Sequence, residues 1–160
     1  MLRLAIAEDP HLEVSDLEVR RQGTSYTYET LRDLSLSHPD SELFLILGID
    51  AYKEIETWHR PGDLLSLAHI VITSRPGAGS IDPCPPPPVA AQESCCYDSH
   101  IGGYEHKTGH RLVVQSLVGV EASSSDVRRR IREGRPFAHL TGRPVADYIH
   151  THRLYGAEDR

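Results

Sequence analysis

Leu43-Phe44-Leu45-Ile46-Leu47 is apolar at every position, with Glu42 before it and Gly48 after it. So short and unbroken a run does not alternate like a half-exposed strand and is too brief for a core helix. It predicts a strand buried on both faces of a parallel sheet. His69-Ile70-Val71-Ile72-Thr73 reads as a second buried strand, and residues 112–115 and 117–120 offer a third. Helical spacing appears between and after these runs. Tyr28, Leu31 and Leu34 follow the hydroxyl-rich Thr24-Ser25-Tyr26-Thr27, which sets a helix start near Thr27. Residues 52–58 are helical, and Pro61 opens another turn with Leu64, Leu65 and Ala68 facing inward. Ser123-Ser124-Ser125 opens a basic helix ending at Gly134. Pro144 opens the last helix, with Val145, Tyr148, Ile149 and His152 on one face and Gly156 stopping it. Strands alternating with helices imply an α/β fold with a mostly parallel sheet flanked by helices.

Three segments fit this pattern less simply. Residues 1–7 read as the apolar face of a helix already under way, too short and too lightly basic for a signal peptide. In residues 11–20, Leu12 and Val14 alternate with polar neighbours, as do Leu17 and Val19, predicting a strand broken at Ser15-Asp16. Residues 76–110 hold six of the eleven prolines, five of the twelve glycines and all three cysteines. That composition predicts a long surface loop, stiff and extended through the prolines at 85–88.

The 160 residues suit one domain, 1–160, with no internal repeat. A formal net charge of −6 argues against a general nucleic-acid partner, and no stretch is long and apolar enough for a membrane span. An odd count of cysteines outside the apolar runs points to a reducing, cytoplasmic setting. Any polyanion must therefore be met by a local cluster of donors.

Ligands of open parallel sheets bind outside the carboxyl ends of the strands. There Gly48 allows close approach to backbone, and Asp50 can accept hydrogen bonds from ribose hydroxyls; the alternative is that Gly48 ends the strand and Asp50 caps a helix. Ser123, Ser124 and Ser125 with Arg128 offer hydroxyls, helix-terminal N–H groups and a guanidinium suited to phosphate, or else an ordinary capped helix start complemented by Asp126. Thr27, Trp58, His59 and Arg75 form a third group, in which Trp58 is either a platform for a flat heterocycle or a core residue. Cys84, Cys95, Cys96, His100, His106 and His110 match no familiar zinc spacing, which leaves a structural metal as a weak alternative.

Six segments in order resemble the bacterial nicotinate-nucleotide adenylyltransferases, Rossmann-like members of the nucleotidyltransferase superfamily. SYTYETL at 25–31 is similar to the family's S-[YW]-T-x-x-T-L, and LFLILGID at 43–50 to its strand ending in G-x-D. Trp58 falls at the family's tryptophan and Ser74-Arg75-Pro76-Gly77 at its R-P-G. ASSSDVR at 122–128 resembles I-S-S-T-x-I-R, and VADYIHTHRLY at 145–155 the closing V-x-x-Y-I-x-x-x-x-L-Y. The resemblance implies transfer of the adenylyl group of ATP, with Mg²⁺, to nicotinate mononucleotide, giving deamido-NAD and pyrophosphate in NAD biosynthesis. It further implies Gly48 and Asp50 on the adenosine, and Ser124, Ser125 and Arg128 on the ATP phosphates. Thr27, Trp58 and His59 would form the nicotinate pocket with Arg75 close by. No covalent nucleophile and no protein-held metal are implied, and self-association is left open.

The sequence also departs from the family pattern. Ala122 and Val127 are smaller than the family's isoleucines, Ser125 replaces threonine, and His59 stands where tyrosine or another aromatic is common. The superfamily's G-G-x-F-D-P-x-H-x-G-H is absent, and none of the ten histidines lies in an H-x-G-H, so no catalytic histidine carries over. The expectation is a shortened form of a longer enzyme with little or no adenylyltransferase activity. Its strand at 43–47 would then expose an edge and part of its apolar face. The alternatives are a non-catalytic remnant that binds a nucleotide or a partner, and an adenylyltransferase for another acceptor.

Overall fold

The computed structural model describes residues 1–74, 81–116 and 122–156. Its contacts group into two compact units, Leu17–Gly119 and Met1–Asp16 with Val120–Arg160.

The larger unit is built on a five-stranded sheet. Its strands are β1 (Phe44–Gly48), β2 (His69–Thr73), β3 (Cys95–Asp98), β4 (Gly103–His106) and β5 (Arg111–Gln115), in the order β1-β2-β5-β4-β3. β1, β2 and β5 run parallel, whereas β4 is antiparallel to both β5 and β3. β2 is the centre of the core: Ile70 and Ile72 are fully buried and stand in register with Leu45 and Leu47 on one side and Leu112 and Val114 on the other. Leu64, Leu65 and Ala68, from the 3-10 turn Pro61–Ser66 and the residues after it, close over that surface as their spacing predicts.

In the smaller unit the first helix is a single turn, α1 (Leu2–Ala5), with no buried residue. The predicted strand over 11–20 is not there. Leu17–Arg20 is instead a helical turn, α2, in the larger unit. Leu12 and Val19 remain exposed, so alternation had no buried face to serve. Glu18 is tied instead to the helix start region, its carbonyl accepting from Ser25 Oγ at 3.2 Å and its carboxylate from Thr30 Oγ1 at 2.7 Å. That helix, α3 (Thr27–Ser37), begins at the predicted position, and Arg21 pairs with its Asp33 at 2.8 Å. The predicted helix at 52–58 divides into α4 (Ile49–Lys53) and a 3-10 turn, Ile55–Thr57.

β1 corrects the expectation of burial on both faces. Leu47 is buried, but Phe44 and Ile46 are 56% and 66% exposed, and among the described residues β1 has a strand partner on one side only. Among the described residues, the exposed edge and apolar face expected for this strand are both present. Phe44 finds one partner, stacking on the His69 ring at 4.6 Å.

The stretch 76–110 is not all loop. It contains a 3-10 turn, Val89–Ser94, followed by the β3–β4 hairpin, and Cys84 and Ala91 are buried. Tyr52, itself buried, donates from its hydroxyl to the Pro86 carbonyl at 2.7 Å and pins the proline run to the core. Gly103 is required where β4 meets β5, because a Cβ there would lie 2.3 Å from the Leu112 carbonyl oxygen. Composition marked the segment as irregular and could not register cross-strand pairs such as Tyr97 with Tyr104. Residues 117–120 of the predicted third strand lie outside the described residues.

The smaller unit otherwise comprises α5 (Ser124–Arg132), α6 (Ala138–Thr141) and α7 (Arg143–Thr151). Ile131, Phe137, Val145, Ala146 and Ile149 form its core. Tyr148 and His152, predicted to share a face with Val145 and Ile149, are exposed and pair with each other at 4.1 Å, while Ala146 is buried with Val145 and Ile149.

Because β2 supplies fully buried side chains to both neighbours, Ile72→Ala is expected to cost about 2–5 kcal/mol, read as a lowered urea midpoint with unchanged m-value. Stability should also fall in mild acid. His69 Nδ1 accepts from the Arg111 N–H at 3.1 Å and His106 Nδ1 from the Thr108 N–H at 3.3 Å, so both rings are held neutral. Burial, then His110 and Arg111, depresses the His69 pKa against a weaker opposing pull from Glu42; burial, then Lys107 and His110, depresses His106. A folded-state pKa below the ordinary 6.5 means the unfolded chain takes up protons first. Stability is therefore full above that pH and declines as pH falls through the depressed values. Urea melts across this range should show the decline, and His106→Asn should flatten it.

Candidate functional site

At the carboxyl end of the parallel strands, Gly48 pairs with Thr73, whose hydroxyl donates to the Leu47 carbonyl at 3.2 Å. Gly48 has ordinary extended geometry (φ −70°, ψ 149°) and serves as the N-cap of α4. Among the described residues other than its chain neighbours, no heavy atom lies within 4 Å of where its Cβ would be, which leaves room there for close approach. Asp50 sits in the first turn of α4 and is exposed. The strand-ending role foreseen for Gly48 is real, and the cap is Gly48 rather than Asp50. Ser74 is buried just after β2, and Arg75 lies outside the described residues.

Thr27 opens α3, with Tyr26 as the N-cap residue. Trp58 closes the 3-10 turn Ile55–Thr57, half-buried against the core. These two segments meet through rings: Tyr26 lies on His59 with centroids 4.5 Å apart, and Tyr28 meets His59 edge-on at 6.2 Å. Three of the four residues expected in this group are thus brought into one neighbourhood. Trp58 packs on the core, as one of its two alternatives has it, and keeps part of its surface accessible.

Sequence reasoning passed over Tyr26, Tyr28 and Arg60. Arg60 follows directly with a left-handed backbone (φ 54°, ψ 53°), and its guanidinium carbon lies 4.1 Å from the centre of the Tyr28 ring. The available signal was the spacing of Tyr26 and Tyr28 around Thr27, which puts a ring on each side of the helix start.

The serine cluster belongs to the other compact unit. Ser123 is the N-cap of α5, its Oγ accepting from the Asp126 N–H at 3.1 Å. Asp126 binds Arg130 at 2.7 Å and also Arg129, and these two guanidinium groups hold its carboxyl below the usual carboxylate range. Arg128 has no carboxylate partner among the described residues and reaches Ser125 Oγ at 3.4 Å. Ser124, Ser125 and Arg128 are all exposed. The helix is an ordinary capped start, and Arg128 lies beside the Ser125 hydroxyl.

Among the described residues no three or more His, Cys, Asp and Glu side chains gather in a way that could hold a metal. Cys84, Cys95 and Cys96 are free thiols, and burial pushes Cys84 up to about 11. Thr108 Oγ1 links His106 and His110 at 2.8 and 2.9 Å, and His110 Nδ1 lies 3.0 Å from the Leu65 carbonyl, so these rings are occupied structurally.

No family model matches the sequence. Individual relatives match along nearly its whole length. A protein of Geotalea daltonii is 39% identical over 158 residues, covering 97% of this chain and 72% of the relative. One from Geobacter metallireducens is 38% identical over 155 residues, with the same coverage. Both are named "Probable nicotinate-nucleotide adenylyltransferase". The chain belongs to the nicotinate-nucleotide adenylyltransferase family. Members are nucleotidyltransferases, and the fold agrees: Plasmodium falciparum nicotinic acid mononucleotide adenylyltransferase complexed with NaAD superposes with a TM-score of 0.55 at 19% identity, over 86% of this chain and 60% of that one. Its complex with APC superposes at 0.56 over 61% of that chain. The Rossmann-like nucleotidyltransferase fold is therefore the fold of this chain. No helix of the described residues is long and apolar enough to cross a membrane.

Within this family member, the Ser123 cap can be separated from any ligand role of its neighbours. Ser123→Ala should destabilise the smaller unit by about 1 kcal/mol, read from thermal melts without nucleotide, whereas Ser125→Ala should leave those melts unchanged.

Proposed function

We propose that the chain catalyses adenylyl transfer from ATP to nicotinate mononucleotide, giving deamido-NAD and pyrophosphate, in the cytoplasm. The observation that carries this reading is the meeting of Thr27 with Trp58-His59 through the Tyr26–His59 ring contact, in a member of the family whose relatives bear that activity in their names. Thr27, Trp58 and His59 would receive the nicotinate ring, with Arg75 beside it. Gly48 and Asp50 would meet adenosine, the carboxylate accepting from ribose hydroxyls. Ser124, Ser125 and Arg128 would hold the phosphates by charge-assisted bonds.

The nucleophile, a phosphate oxygen of the mononucleotide, already carries negative charge. Attack in line on the α-phosphorus needs no general base, and catalysis comes from alignment and from offsetting charge on the departing pyrophosphate. Mg²⁺ fits as an ion carried by the ATP phosphates, since the described residues gather no acidic cage for it. When bound it would supply charge neutralisation there.

Arg128→Ala is expected to weaken ATP binding about ten-fold or more, and Asp50→Ala by a similar factor, measured by calorimetry on the 160-residue chain. Unchanged affinity in both variants would remove the assignment. Turnover of ATP and nicotinate mononucleotide by the same preparation checks the transfer itself, and a pantetheine phosphate as acceptor tests the alternative substrate.

A further inference from the structure

The Trp58-His59 turn is held by an unusual backbone. Trp58 is extended (φ −77°, ψ 160°), Arg60 turns left-handed, and Pro61 follows at once. The proline ring disfavours the right-handed helical region for the residue before it, and a side chain with a Cβ disfavours the left-handed one. Arg60 is one of three described non-glycine residues with positive φ. Arginine has no side-chain acceptor to stabilise that geometry locally, as asparagine or aspartate would, so contacts outside the backbone must hold it.

Two such contacts exist. Arg60 Nε donates to Asp63 Oδ2 at 2.7 Å, while the Asp63 N–H donates to the Arg60 carbonyl at 3.1 Å. Both side chains of this pair are about half exposed, so the pair alone contributes little. The second contact reaches across to α3: the guanidinium lies over the Tyr28 ring at 4.1 Å. His59 meets that same ring in a T-shaped contact. Tyr28 therefore touches both residues that follow Trp58, and it sits directly after Thr27 in the helix start.

We propose that Arg60 and Tyr28 are positioning residues: the cation and the ring clamp the turn so that Trp58 and His59 keep a fixed place beside Thr27. The clamp is a mechanical feature of the larger unit. Its consequence, a pre-set pocket for the pyridine ring of the mononucleotide, rests on the function proposed above.

Trp58 is the single tryptophan, so its fluorescence reports on the turn whether or not the chain is active. Arg60→Gly removes the cation while accepting the left-handed backbone without strain, so it loosens the clamp without threatening the fold. Arg60→Gly and Tyr28→Leu should each shift Trp58 emission to the red and raise its quenching by acrylamide. Tyr28→Phe, which keeps the ring, should retain the parent values. Nicotinate mononucleotide affinity, titrated by quenching of Trp58, should fall about three-fold in Arg60→Gly with ATP affinity unchanged. Unchanged emission in Arg60→Gly overturns the clamp, and a shift in emission with unchanged mononucleotide affinity overturns its positioning role. A shift in emission together with no mononucleotide response in the parent chain leaves the clamp standing and removes the nucleotide pocket instead.

Discussion

Everything in the larger unit depends on the burial of β2 between two parallel neighbours. Ile70 and Ile72 have no exposed surface, and the same register that packs them against Leu112 and Val114 sets Gly48 level with Thr73. A one-residue slip would turn those isoleucines away from the core, so their burial strongly favours this register. Alignment of the strand ends is a by-product of that packing. The open backbone at Gly48 and the start of α4 are carried with it to one rim of the sheet, where the Thr73 hydroxyl also holds the Leu47 carbonyl.

The two strands β1 and β2 look alike in sequence and differ in the structure, which shows where reading a sequence stops. His69–Thr73 emerges with its predicted limits because it pairs on both edges, with β1 and β5, and buries Ile70 and Ile72 completely, while His69, Val71 and Thr73 on the other face are half-buried. Phe44 and Ile46 carry the same apolar signal but face outward, since burial is a property of what lies opposite and a run of letters does not state its partners. Residues 11–20 fail for the converse reason, with alternation present and no surface to bury. The caps and punctuators were the most legible: Thr27, Pro61, Ser123 and Gly134 act locally, through backbone geometry and nearby N–H groups. The β3–β4 hairpin was hidden because its pairing joins residues whose composition is that of a loop.

The candidate site was legible as a set of residues rather than as an arrangement. Gly48, Asp50, Thr27, Trp58, His59, Ser124, Ser125 and Arg128 could each be singled out by residue type and by position after a strand or at a helix start. What tied Thr27 to Trp58-His59 was a ring contact through Tyr26, thirty-odd positions away in sequence, and no local pattern encodes such a contact. Arg60 was invisible for a further reason: its importance lies in a backbone angle that arginine seldom adopts.

Charge follows a similar logic in the smaller unit. A chain of net charge −6 cannot draw in a polyanion by its overall field, so attraction must be local. Four arginines in α5 do not by themselves create it, because basic helix faces are mostly solvated. Asp126 makes the difference by engaging Arg129 and Arg130 while its own N–H is taken by Ser123, which leaves Arg128 as the cation turned toward Ser125. An acidic residue would thus sharpen the proposed phosphate-binding surface by withdrawing two of its competitors. Replacing Asp126 would free those guanidinium groups, increasing the positive charge of the helix start while removing what directs it.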